Sequence, residues 1–204
     1  MIDHLVLAAP DLAATVSDLE RLTGVRPAAG GRHPGRGTRN ALLGLGNAAY
    51  LEIIGVDPDQ PHPTQPRPFG LDALTEPRLV TWAVRVDDVD ARSAAARCLG
   101  FDPGAVERRS RTTTDGQVVA ARVTLGPGGV HTGLLPFLVE WETAAHPADA
   151  LPVAPLTALV GVHPEPDRVR AALRAVGAEL EVRSGSRVAL IATLRGREEP
   201  VVLL

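Results

Sequence analysis

The sequence contains one cysteine and no lysine. A single thiol can build neither a disulfide framework nor a thiolate metal site, which excludes a disulfide-stapled secreted scaffold and a cysteine-rich zinc module. Cys98 lies in ARSAAARCLGF, which reads as the buried side of a helix, where a thiol acts as a small core hydrophobe. Aromatic residues make up only 3% of the chain and the formal net charge is -3. With so little charge and no basic stripe interleaved with aromatics, nucleic acid and anionic membranes are not expected partners. No apolar run approaches the roughly 20 residues of a membrane-spanning helix. The first residues, MIDHLVLAAPDL, have no basic segment, and Pro10-Asp11 interrupt the apolar run, so a cytoplasmic protein is expected.

What is present is a chain of 204 residues rich in Ala, Val, Leu and Arg. It is long enough to bury a core without staples. Residues 2–8 are a short apolar run, and after Pro-Asp the residues Leu12, Val16, Leu19 and Leu22 fall at helical spacing, with Gly24 as the stop. A glycine-rich loop, GGRHPGRGTRN, leads into strands over residues 41–45 and 49–56. Residues 57–78 hold six prolines and no periodicity, which suits a surface connector, either a linker or a lid over a site.

The first unit then returns. LVTWAVRVDDVDARSAAARCLG overlays DHLVLAAPDLAATVSDLERLTG when Asp88 is laid on Asp11, and this puts Thr81 at the place of His4. Leu138-Val139-Glu140 falls where Tyr50-Leu51-Glu52 fell. A third, shorter copy covers residues 155–204, with Thr157 at the His4 place and no acid in its last strand. The organisation expected is a first βαβββ module over residues 1–56, a connector over 57–78, a second module over 79–145 and a third without ligand residues. A single such unit cannot bury its own sheet face. The fold class is therefore α+β, with repeated βαβββ modules forming a curved, U-shaped mixed sheet and helices outside. An odd third unit must pack on the pair or on a second chain; a homodimer is the expectation.

Glu52 is the lone carboxylate of an apolar strand, and a buried acid must meet a cation, a proton or a hydrogen-bond donor. Strand alternation puts Ile2, His4, Val6 and Ala8 on one side of their strand, and Tyr50, Glu52 and Ile54 on one side of theirs. Two readings stay open for Glu52 and Glu140: a metal, or arginines such as Arg32, Arg36 or Arg111. His33, Thr38 and Asn40 either reach a ligand or serve a turn in which Gly30, Gly31, Gly35 and Gly37 take positive φ. The glycines do not form a phosphate loop, because a strand follows them and the Gly-Lys-Ser/Thr ending is missing.

The strand with His4, the GGRHPGRGTRNALL loop, YLEIIGVDP, VTWAVRVDDVD and PFLVEW together resemble a glyoxalase-like domain of the vicinal oxygen chelate superfamily, which includes glyoxalase, bleomycin-resistance and dioxygenase proteins. The resemblance covers essentially the whole chain. It implies paired modules around a divalent ion, held by a residue on the first strand and a glutamate on the last strand of each module. Carried onto this sequence, the ligands would be His4, Glu52 and Glu140, with Thr81 a departure from the pattern and His33 or His146 able to supply a missing nitrogen. The ion would be Zn, Mn, Mg, Ni or Fe, or none. The resemblance further implies a small oxygen-rich ligand in the trough and lyase, isomerase or dioxygenase chemistry, with Glu52 and Glu140 catalytic and His33, Thr38, Asn40, Thr81, Trp82 and Arg111 around the substrate. The alternative is a non-catalytic sequestering protein that has lost the metal.

Overall fold

The computed structural model describes residues 1–113, 116, 118–126, 133–143 and 146–204, and of residues 111–113 the backbone alone. The first unit is β1 (Ile2–Ala9), α1 (Leu12–Thr23), β2 (Ala28–His33), β3 (Thr38–Gly46) and β4 (Ala49–Val56). The second is β5 (Arg78–Arg85), α2 (Val89–Cys98), β6 (Ala105–Thr113), β7 (Val118–Leu125) and β8 (Phe137–Trp141). The third is β9 (Leu156–His163), α3 (Pro166–Ala175), β10 (Glu181–Ser184), β11 (Ala189–Leu194) and β12 (Val201–Leu203).

Both leading helices start where an aspartate can satisfy a free first-turn amide. Asp11 accepts from the Ala14 amide and Asp88 from the Ala91 amide, each at 2.9 Å. Helix α1 ends at Gly24, whose φ of 77° is open to glycine at little cost. Helix α2 turns Val89, Ser93 and Ala96 inward. Cys98 therefore lies off the buried stripe and is exposed, contrary to the expectation from sequence.

Strand order in the main sheet is β1-β4-β3-β2-β6-β7-β8-β5. The two units contribute four strands each in matching order, with β1 parallel to β4 and β5 parallel to β8. The curvature continues until β1 lies antiparallel on β5 and β2 meets β6, so the expected trough closes into a barrel. Two of these strands, β2 and β6, are not visible as strands in the sequence, and the glycine loop is in fact a β2–β3 hairpin.

The pleat sorts each strand into two sets. Leu5, Leu7, Leu51, Ile53, Trp82 and Val84 face outward into a core shared with the three helices. Val6, Ala8 and Ile54 face the interior with Val80 and with Leu71, the one buried residue of the turn Pro68–Ala73. The proline-rich connector is thus folded against the interior, with Arg67 donating to the Gly37 carbonyl at 2.9 Å across the hairpin turn.

The third unit keeps the order of elements along the chain but not the strand order: its sheet runs β10-β9-β11-β12, with β10 parallel to β9. It packs on the outside of the barrel. Val169, Leu173, Val182, Leu190 and Leu194 join the core that contains Leu5 and Trp82. The segment before β9 is pinned to β3, where the Gly44 amide donates to the Pro152 carbonyl and the Ala154 amide to the Gly44 carbonyl, both at 2.9 Å. Among the described residues no helix is long and apolar enough to cross a membrane.

Candidate functional site

Inside the barrel is a cavity of about 220 Å³. Its walls are mostly apolar, formed by Tyr50, Ile54, Phe69, Phe137, Val139 and Trp141, and the polar residues His4, His33, Thr38 and Asn40 gather around Glu52. Phe69 reaches it from the connector with a positive φ of 62°, a conformation that costs a non-glycine residue energy and is held by the surrounding fold.

Glu52 projects inward from β4 beside Tyr50 and Ile54. Its Oε1 accepts from Asn40 Nδ2 at 2.7 Å. The amide of Asn40 cannot be turned over, because its Oδ1 accepts from the Gly31 amide at 2.7 Å. Gly30 makes this possible: a Cβ there would stand 2.0 Å from Asn40 Oδ1. Gly30 is therefore a glycine in an extended strand that needs space, Gly31 beside it lies in the same strand, and Gly35 and Gly37 are the two in the turn with positive φ.

An imidazole flanks each oxygen of Glu52. His4 Nε2 is 4.0 Å from Oε2 and His33 Nε2 is 3.7 Å from Oε1. His33 is oriented by Thr38, whose Oγ1 is 2.9 Å from Nδ1. The His4 ring stacks on Tyr50 with centroids 4.7 Å apart and meets Phe137 edge-on at 5.2 Å.

Behind His4 lies a residue that the sequence reading missed. His4 Nδ1 is 2.6 Å from Oδ1 of Asp3, which is fully buried. The other oxygen, Oδ2, accepts from Arg85 Nε at 2.8 Å and Trp141 Nε1 at 2.9 Å, with His146 Nε2 at 3.0 Å. Burial pushes the Asp3 carboxyl up, but hydrogen bonds with His146 and His4, the charge of His4 and the Trp141 indole outweigh it and hold the group far below the usual carboxylate range. The signal for Asp3 in the sequence was its position next to His4, and strand alternation argued against it.

The remaining sequence-derived candidates divide cleanly. His4, His33, Thr38, Asn40 and Glu52 line the cavity together. Glu140 does not join them: in β8 the inward residues are Phe137, Val139 and Trp141. The Glu140 carboxylate instead accepts from the Val89 amide at 2.8 Å, at the start of α2, and lies 3.5 Å from Arg122. Trp82 points to the outer core, where its indole donates to the Leu134 carbonyl at 2.8 Å. Thr81 is fully buried opposite Val6, with no hydrogen-bond partner for its Oγ1 among the described residues. The Arg111 side chain lies outside the described residues; its neighbours Arg109 and Ser110 line the cavity. Arg36 lines it from the hairpin turn, whereas Arg32 turns away to Asp57 and Asp59.

The register explains why the second unit does not answer the first. Glu52 pairs with Val6, and laying Asp88 on Asp11 carries Val6 to Ala83, which pairs with Phe137. The second unit thus presents Thr81 and Phe137 where the first presents His4 and Glu52. Among the described residues no group of three or more His, Cys, Asp or Glu side chains is placed to hold a metal ion. A phenyl ring in place of a second carboxylate does not fit the donor set that a divalent ion needs.

A family model described as a glyoxalase-like domain matches residues 2–177. No curated protein sequence matches the chain at a significant level. Among solved structures, a hypothetical protein from Staphylococcus aureus shares 12% identity and a TM-score of 0.65, covering 99% of this chain and 84% of that one. A mutant 4-hydroxymandelate synthase from Streptomyces coelicolor shares 15% identity and a TM-score of 0.51, covering 99% of this chain and 61% of that one. Methylmalonyl-CoA epimerase from Mycobacterium tuberculosis shares 23% identity over 73% of this chain and 91% of that one, with a TM-score of 0.44. The first two are likenesses of fold.

Proposed function

The chain belongs to the glyoxalase-like domain family, and from that premise we propose that it binds a small oxygen-bearing organic molecule in the barrel and moves a proton on it, with Glu52 as the base. The observation that carries this reading is the setting of Glu52. Among the described residues it is the one carboxylate lining an otherwise mostly apolar cavity, fixed at Oε1 by Asn40 and bracketed by two imidazoles. A carboxylate in such surroundings is suited to taking a proton from carbon or oxygen next to a carbonyl. His4 and His33 stand where they can receive that proton or return it, and Asn40 keeps one lone pair of Glu52 occupied so that the other oxygen faces the ligand. The reaction class is isomerase or lyase, and no step is routed through a metal, since the donor set is not assembled.

A second reading, sequestration without turnover, is favoured by the aromatic lining and by Phe137 at the place of a second acid.

The two separate in deuterium oxide. A panel of 2-hydroxy ketones and 2-oxo acids is screened for binding, and each binder is followed by NMR for exchange of the C–H next to the carbonyl. We expect exchange that survives dialysis against a chelator and falls by about 10²-fold or more in Glu52→Gln. Binding with no exchange in any case would establish sequestration. Exchange abolished by the chelator and restored by Zn, Mn, Mg, Ni or Fe would establish a metal reaction.

A further inference from the structure

We propose that Asp3 is a positioning residue, which holds a proton on His4 Nδ1 and thereby presents Nε2 to Glu52 and the cavity. The proposal gains a chemical purpose from the reading of Glu52 given above, on which it rests for that purpose only; its geometry stands alone.

Adjacent residues of a strand ordinarily project to opposite faces. In β1 the pairing with β5 shifts register between Ile2 and His4, and such an irregularity re-aims side chains. Asp3 and His4 can then meet, Oδ1 to Nδ1 at 2.6 Å. A buried, ionised carboxylate is an acceptor only, so the hydrogen between these atoms belongs to the imidazole. That assigns the proton to Nδ1 and leaves Nε2 as the ring atom directed at Glu52.

The second oxygen decides how rigid the assignment is. Oδ2 is met from three separate parts of the chain: by the donors Arg85 at the end of β5 and Trp141 at the end of β8, and by His146 Nε2 in the segment leading to the third unit. Arg85 is itself tied back to the Ala48 carbonyl at 2.8 Å. The carboxylate can neither rotate nor move without breaking contacts to both units and to the segment that leads to the third. The His4 ring is likewise packed between Tyr50 and Phe137, so its orientation is set from the front by stacking and from behind by Asp3. Outer-shell carboxylates fix the tautomer of a functional histidine in this way.

The arrangement makes an unusual prediction for the isosteric change Asp3→Asn. With donors at the Oδ2 position, the new side chain must turn its oxygen toward them, which leaves its NH₂ facing His4. A donor facing Nδ1 drives the proton off that atom and onto Nε2. The substitution should therefore invert the His4 tautomer and not merely loosen the ring.

The test is a long-range proton–nitrogen correlation spectrum of the histidine rings in the ¹⁵N-labelled full chain, near neutral pH and without added ligand. Wild-type His4 is expected to show a protonated Nδ1. Asp3→Asn is expected to lose that signal and gain the Nε2–H pattern. The proposal is overturned by a wild-type His4 that carries its proton on Nε2 alone, or by a folded Asp3→Asn protein whose His4 pattern is unchanged. Should Asp3→Asn not fold, the wild-type spectrum still decides. Because no turnover is read, a failure of the Glu52 reaction leaves this outcome intact, and the converse also holds.

Discussion

At the scale of single residues, the candidate site is a chain of constraints that begins at a missing side chain. Gly30 leaves space for Asn40 Oδ1, the Gly31 amide fixes that oxygen, and the amide nitrogen then points at Glu52. An alanine at position 30 would place its Cβ 2.0 Å from Asn40 Oδ1 and 3.0 Å from the Asn40 carbonyl, and the second atom belongs to the backbone. The side chain of Asn40 must therefore leave. Gly30→Ala is expected to cost about 1–3 kcal/mol in chemical denaturation, from overpacking and from the broken hydrogen bonds. It should also weaken cavity ligands, since Glu52 loses its fixed donor. An unchanged unfolding midpoint with unchanged Asn40 side-chain amide signals would show that the space under Asn40 is not needed. His33, Asn40 and Glu52 were legible in the sequence because polar groups interrupt apolar or glycine-rich runs there. Asp3 was not legible, because alternation along a strand assigns it to the face opposite His4, and only the irregular pairing with β5 brings the two together.

At the scale of elements, the repeat was readable and the phase of its strands was not. The starts of both units show in the sequence because an apolar strand, an aspartate cap and a helix with buried Val16 and Leu19, or Val89 and Ala96, recur together. Strands β2 and β6 leave no such trace. AAGGRH and AVERRSRTT lack apolar alternation, since they form the seam where the two halves of the barrel meet and take their order from backbone pairing. In β8 the match of LVE to YLE placed Glu140 with Glu52, but the register lays Phe137 there, three residues earlier, and an odd shift exchanges the two faces of a strand. Glu140 serves α2 instead, accepting from the Val89 amide at the positive end of the helix. Glu140→Gln is accordingly expected to cost about 0.5–2 kcal/mol in urea denaturation and to leave ligand affinity in the cavity unaltered. A large loss of affinity with stability preserved would return Glu140 to the site.

At the scale of the whole molecule, Asp3 is the point at which the parts of the chain converge. Its carboxylate belongs to the first unit and its partners Arg85 and Trp141 to the second, while His146 begins the segment that is clamped to β3 and continues into the third unit. The sequence indicated a third unit but not its place, because its surface residues do not say which apolar face will cover them; the shared core with Leu5 and Trp82 does. This convergence makes the junction sensitive to acid. The folded protein holds the Asp3 carboxyl well below the usual carboxylate range. A depressed pKa means that the folded state favours the ionised form, so the contribution to stability is complete above about pH 4, where the unfolded carboxyl is also ionised, and is lost as the pH falls below it. Asp3→Asn lacks the charge at every pH. It should be less stable than wild type by on the order of 3 kcal/mol near neutrality, because the Arg85 guanidinium loses its buried partner, and the difference should shrink steadily as the pH is lowered through about 4 toward 2. Asp57, whose carboxyl is also held low by Gln60, the Asp59 amide and Arg32 against the effect of its burial, adds to acid sensitivity in both proteins and cancels in the comparison. Urea midpoints of the two proteins across that range decide the matter: converging curves place the acid-labile junction at Asp3, and parallel curves place it elsewhere.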